Sequence, residues 1–207
     1  MIDFKLYLIT DRKQTEGKDI MEVLKSAFDG GVKAVQVREK DLSAKELSLL
    51  CEKIMKLALS YKTKVLVNDR VDIVLACGLD GVHLPSSGIS AAEARKLMGE
   101  KKLIGVSTHS LDEAKDAEKQ DADFVTFGPV FYTETKVKYG SPKGVEKLAE
   151  VAKEVNLPVF ALGGINEVNV KDVINAGVYG ISMISAIMRE SNPKKKVEEL
   201  LKFFKEN

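Results

Sequence analysis

Short runs of apolar, β-branched residues alternate with longer amphipathic ones along the whole chain. The short runs predict strands at Lys5–Thr10, Ala34–Arg38, Lys64–Asn68, Gly81–Leu84, Leu103–Ser107, Phe124–Gly128, Val159–Gly163 and Gly180–Met183. They are continuously apolar, as parallel strands covered on both faces are. The longer runs predict helices near Asp19–Gly30, Ser43–Tyr61, Val71–Cys77, Ala91–Met98, Leu111–Lys119, Gly144–Val155, Val168–Ala176 and Pro193–Lys205. Local signals agree. Ser43 precedes Glu46 as a capping box, and Ser110 stands where it caps the Leu111 helix. Gly30-Gly31, Gly78, Gly99 and Gly177 fall where helices should stop.

Strand then helix, eight times, is the pattern of an α/β protein of the (β/α)8 TIM barrel class, here a single domain over residues 1–207. A doubly wound open sheet is the alternative. No GxGxxG follows the first strand, which weighs against its dinucleotide-binding form.

Composition narrows the partners. Thirty-two basic residues face 31 acidic ones, a net charge of +1, so nothing argues for nucleic acid or an anionic membrane surface. No apolar run approaches the ~20 residues of a membrane span. The N-terminus lacks the basic-then-apolar pattern of a signal peptide, so the cytoplasm is expected. Cys51 and Cys77 form no CxxC and read as free thiols.

In a barrel, chemistry sits on the loops that follow the strands. After strand two, Gln36, Arg38 and Lys40 share one side, and Glu39 points the other way, where it can pair locally. Two cations and an amide there suit a polyphosphate or another anion; an arginine–carboxylate network in the mouth is the alternative. Asn68-Asp69 follows strand three. Asp69 either holds Mg²⁺ against phosphate oxygens or caps the Val71 helix. The two histidines, His83 and His109, lie in or just after strands four and five. A structural role fits His83 better than catalysis, whereas both remain open for His109; their spacing makes no metal-binding pair. Strand six ends in Gly128-Pro129, and its loop brings Thr133, Thr135 and Lys136 together. Gly163-Gly164 after strand seven and Ser185 after strand eight are in register for a phosphate site. No lysine sits mid-strand as a Schiff-base candidate, which disfavours an aldolase.

The chain resembles the thiamine-phosphate synthase / thiazole tautomerase family over essentially its whole length. The resemblance rests on Leu6-Tyr7-Leu8-Ile9-Thr10-Asp11, Val35-Gln36-Val37-Arg38-Glu39-Lys40, Val67-Asn68-Asp69, Asp80-Gly81-Val82-His83-Leu84, Gly105-Val106-Ser107-Thr108-His109-Ser110, Gly128-Pro129-Val130-Phe131, Thr133-Glu134-Thr135-Lys136, Gly163-Gly164-Ile165 and Ser182-Met183-Ile184-Ser185-Ala186-Ile187. It implies a transferase of thiamine biosynthesis that joins a pyrimidine methyl diphosphate to a thiazole phosphate. Diphosphate would leave first, and the thiazole nitrogen would capture the pyrimidine cation. It further implies that Gln36, Arg38, Lys40 and Asn68 hold the diphosphate, that Asp69 holds Mg²⁺, and that Ser107 and Lys136 meet the leaving group. Thr133 and Thr135 would face the thiazole phosphate region, and Gly164, Ile184 and Ser185 the phosphate itself. The partners implied are these small phosphorylated substrates, with the protein a monomer or homodimer.

Two positions depart from the pattern. The synthase branch carries a second metal carboxylate where this chain has Gly88, in a Leu84-Pro85-Ser86 context closer to the tautomerase branch. The tautomerase branch carries a histidine where this chain has Pro129. The resemblance implies the synthase more strongly, because the diphosphate set is whole. An isomerase or a non-catalytic thiazole-phosphate or thiamine-phosphate binder is the alternative.

Overall fold

The computed structural model describes residues 2–133 and 141–205. Eight parallel strands close into a barrel in chain order, the first bonded to the eighth. They are β1 (Leu6–Ile9), β2 (Ala34–Val37), β3 (Lys64–Asn68), β4 (Gly81–Leu84), β5 (Leu103–Thr108), β6 (Phe124–Phe127), β7 (Val159–Leu162) and β8 (Gly180–Met183). The helices are α1 (Ile20–Asp29), α2 (Ala44–Leu59), α3 (Val71–Cys77), α4 (Ala91–Met98), α5 (Leu111–Lys119), α6 (Gly144–Glu154), α7 (Val170–Asn175), α8 (Ser185–Met188) and α9 (Pro193–Lys202). The architecture is the expected (β/α)8 barrel. Among the described residues no helix is long and apolar enough to cross a membrane.

All eight expected strands and all eight expected helices are present, with ends that coincide or differ by up to three residues. Two are additional: a 3-10 turn at Arg12–Gln14 and the short helix α8. Four residues span barely one turn, so α8 leaves no periodic trace. Ser43 and Glu46 form both bonds of the capping box, and Ser110 caps α5. Asp69 does not cap α3: Arg70 holds the cap position without a side-chain bond, and Asp69 takes a left-handed φ of 63°.

Alternation along each strand sorts two cores. Outward-facing Val35, Val65, Val82, Ile104, Val125 and Ile181 pack under the helices. Inside, Phe4, Tyr7, Phe124 and Phe160 plug the lower barrel, with edge-to-face contacts at centroid distances of 5.3–5.9 Å. Each buried aromatic ring contributes about 1.5–3 kcal/mol. The rings fit because small residues face them: a β-carbon at Gly180 would lie 2.5 Å from Phe160 Cε1. Above the plug the interior turns polar. Gln36, His83, Thr126 and Ser182 are buried there, directly beneath the strand ends that carry the candidate chemistry.

Candidate active site

Two of the cavities at the C-terminal mouth of the barrel hold the residues named from the sequence. The smaller, about 100 Å³, is lined by Arg38 and Lys40 from the β2 loop, Asn68 from β3, Ser86 from the β4 loop, and Ser107 and His109 from β5 and its loop. Four residues named from the sequence for one anion therefore meet in one place, although more than 60 positions separate Arg38 from Ser107 in the chain. Gln36 lies one layer lower, 2% exposed, where Nε2 donates to the Tyr7 hydroxyl at 3.4 Å.

Glu39 shows why the two cations project into the mouth. Its side chain is 2% exposed and points to the opposite side, as the alternation predicts. It accepts from the Thr10 hydroxyl at 2.7 Å, from Arg12 N at 3.1 and 3.2 Å, and from Arg12 Nη1 at 3.0 Å. The Thr10 oxygen in turn accepts from Arg38 N at 2.9 Å. The Arg38-Glu39-Lys40 backbone is thus held from below by a satisfied buried carboxylate. The Arg12 guanidinium and then the Lys13 ammonium hold the Asp41 carboxyl well below the usual range.

A hydrogen-bonded column rises from Tyr7 to the floor of this cavity. The Tyr7 hydroxyl is 3.5 Å from His83 Nδ1, and His83 Nε2 is 3.0 Å from Ser107 Oγ and 3.4 Å from Thr126 Oγ1. Burial pushes the Tyr7 phenol far up, against a smaller opposing effect of its Gln36 bond, so it keeps its proton. Accepting from Gln36 and keeping its own proton, it can donate to Nδ1, the arrangement in which the His83 proton sits on Nε2, facing Ser107. In that tautomer Ser107 accepts from below and can turn its own proton toward the mouth. His83 is buried and hydrogen-bonded, as a structural role requires, and it contacts the candidate site residue Ser107. Tyr7 and Thr126 were not singled out from the sequence; the interior alternation in β1 and β6 was the available signal.

His109 Nδ1 lies 3.1 Å from Glu113 Oε2, and its backbone N–H donates to the same oxygen at 2.7 Å. It lines the small cavity while this carboxylate, on the first turn of α5, orients its ring.

Asp69 stands beside the turn Pro85–Gly88, which is closed by Gly88 N donating to Pro85 O at 3.0 Å. Its own backbone N–H donates to His83 O at 3.0 Å. Among the described residues no three His, Cys, Asp or Glu side chains cluster as a metal site. The carboxylate is exposed and meets no side chain at position 88. That arrangement fits a hard cation that takes most of its ligands from phosphate oxygens and water.

The larger cavity, about 510 Å³, lies across the mouth between the loops after β6, β7 and β8. Thr133, Gly164, Ile184 and Ser185 line it, together with Gln14 and Arg189, which the sequence reading did not pick out. Thr135 and Lys136 lie outside the described residues. Glycine is required at Gly164: φ is 66°, and a β-carbon there would sit 2.7 Å from Tyr132 O. The β6 and β7 loops are stitched together, with Val130 N donating to Leu162 O at 2.9 Å and Phe131 N to Gly163 O at 3.0 Å. Leu162 lines both cavities.

Comparison with known proteins agrees with this geometry. The family model described as thiamine monophosphate synthase matches residues 6–187. A putative thiamine-phosphate synthase of Geobacter sulfurreducens is 48% identical, the match covering 97% of this chain and 94% of the relative. The thiamine-phosphate synthase of Clostridium novyi is 42% identical, with 92% and 94% covered. The solved thiamine phosphate pyrophosphorylase from Pyrococcus furiosus superposes with a TM-score of 0.90 at 36% identity, over 98% of this chain and 96% of that one. From its sequence and its barrel alike, the chain belongs to the thiamine monophosphate synthase family.

Proposed function

We propose that this protein is a transferase that joins a pyrimidine methyl diphosphate to a thiazole phosphate, forming thiamine phosphate and releasing diphosphate. One observation carries the reading beyond the family match. Arg38, Lys40, Asn68 and Ser107 converge on one cavity, and Gly164, Ile184 and Ser185 line a second that shares the Leu162 wall. Two phosphorylated ligands would thus sit side by side.

The bond that breaks joins the pyrimidine methylene carbon to a diphosphate oxygen, and its electron pair leaves with the diphosphate. The bond that forms joins the same carbon to the thiazole nitrogen, whose lone pair it takes. No side-chain nucleophile is needed. The work of the protein is to stabilise charge on the departing group and hold the partners close. Arg38 and Lys40 supply fixed positive charge, Asn68 an amide donor, and Ser107 a hydroxyl donor oriented by His83. Asp69 would hold Mg²⁺, which when bound neutralises part of the diphosphate charge. Lys136 and Thr135, outside the described residues, complete the set implied by resemblance.

The isomerase alternative draws less support. The residue after Gly128 is buried Pro129, which offers no proton-transfer group.

The test is a turnover assay with both substrates, in Mg²⁺ and in excess chelator, scoring thiamine phosphate and diphosphate. Metal-dependent product, and a loss of about 100-fold or more in kcat/KM for Arg38→Ala, is expected. Binding of thiazole phosphate with no product would favour a binding protein, and thiazole isomerisation in chelator would favour the isomerase.

A further inference from the structure

The chain carries arginines at positions 12, 38, 70, 95 and 189. Three of them are ion-paired within the protein: Arg12 with Glu39 and Asp41, Arg70 with Asp72, and Arg95 with Asp121 and Asp123. Among the described residues the other two, Arg38 and Arg189, have no carboxylate partner. These same two line the cavities at the barrel mouth, Arg38 the smaller and Arg189 the larger. Among the described residues the two arginines without a carboxylate partner are thus the two that line these cavities, one in each.

The larger cavity gives Arg189 a particular setting. Among its described lining residues, Arg189 is the only one with a formal charge; the rest are apolar, hydroxyl or amide groups and backbone. Its floor holds Ser182, whose Oγ is enclosed with the residue only 1% exposed and makes no hydrogen bond among the described residues. A buried hydroxyl left this way can take a polar partner, a water or a ligand atom. The backbone at Arg189 is fixed on both sides. Its N–H donates to Ser185 O at 3.2 Å, and Lys18 Nζ donates to Glu190 O at 2.7 Å. Arg189 therefore lines the cavity from an anchored backbone and is the one formal charge among its described lining residues, a setting that suits recognition of an anion.

We infer that Arg189 is the charged contact for the phosphate of the second substrate, and that it makes this cavity selective for a phosphate monoester over the corresponding alcohol. Naming the ligand as a thiazole phosphate rests on the function proposed above; the anion class rests on the cavity. Arg38 answers to the diphosphate and Arg189 to the monophosphate.

The test is a calorimetric titration of the full chain with thiazole phosphate and with the dephosphorylated thiazole alcohol, with and without inorganic diphosphate and Mg²⁺. Arg189→Ala should weaken thiazole phosphate binding about tenfold, the modest end for a charge-assisted bond because the side chain is exposed. The alcohol should bind both forms alike, and Arg189→Lys should restore part of the loss. Under turnover, KM for the thiazole phosphate should rise while KM for the pyrimidine diphosphate and kcat hold. Equal affinity of wild type and Arg189→Ala for thiazole phosphate would overturn the inference. So would an equal loss for the alcohol, or a wild type that binds no thiazole phosphate in any condition. Wild-type binding that depends on Arg189 but yields no product would overturn the transferase reading alone.

Discussion

Gly88 faces the carboxylate of Asp69, so closely that a β-carbon at position 88 would lie 2.8 Å from Asp69 Oδ1. The second metal carboxylate of the synthase pattern would arise at that β-carbon. Gly88→Asp should therefore lower the Mg²⁺ concentration that half-saturates turnover. The nearest obstacle is the end of the Asp69 side chain, which can swing away, followed by Pro85 Cδ at 3.1 Å. A Mg²⁺ titration unchanged by this substitution, together with full activity in Asp69→Ala, would remove Asp69 from the metal site.

The Thr10–Glu39 bond predicts an effect on the strand-two cations without touching them. Glu39→Ala leaves the Thr10 hydroxyl and Arg12 N–H without their shared acceptor, a loss of about 2 kcal/mol for bonds to a charged group. A lowered urea midpoint should accompany a raised KM for the diphosphate substrate. Thr10→Ser, which keeps the hydroxyl, should retain most of both. A KM unchanged in Glu39→Ala would mean the loop does not depend on this carboxylate.

Tyr7→Phe removes the donor to His83 Nδ1 and the acceptor for Gln36 Nε2, both buried. Stability should fall by about 1–3 kcal/mol from the unsatisfied groups. The His83 ring then loses the contact on Nδ1 that favours one tautomer, so kcat should fall more than KM changes. NMR of the His83 nitrogens would report the loss of a single tautomer directly.

Two capping boxes predict part of the acid behaviour. Hydrogen bonds from the Ser43 side chain and backbone hold Glu46 below its ordinary value of 4.5, and Ser90 does the same for Glu93. A folded-state pKa below the unfolded one adds stability that is complete above the unfolded value and is lost as pH falls through the folded one. The thermal midpoint should therefore decline below about pH 4.5. It should decline less steeply in the Glu46→Gln, Glu93→Gln double variant, which keeps the box geometry without the charge. Identical acid limbs would show that these caps carry no linkage.

The barrel was readable in the sequence because its parallel strands are apolar on both faces and its helix stops are glycines with a conformational reason to be there. The cations at Arg38 and Lys40 were readable because β2 alternation puts them on one side. Arg189 was not, since a lone arginine at the C-cap of a four-residue helix has no period to distinguish it from any surface arginine. The column from Tyr7 to Ser107 was hidden for another reason. Its members come from four strands, and only the register of the closed sheet, such as Asn68 beside His83 and Ser107 beside Thr126, brings them level. Thr135 and Lys136, legible as motif residues, fall outside the described residues.

Leu162 stands in both cavity walls, and its backbone is tied to the neighbouring loop through Val130. On the proposed chemistry, one aliphatic side chain is then the gauge between the carbon that loses diphosphate and the nitrogen that attacks it. A shorter residue would let the two partners drift apart or admit water between them, and a longer one would keep them from meeting.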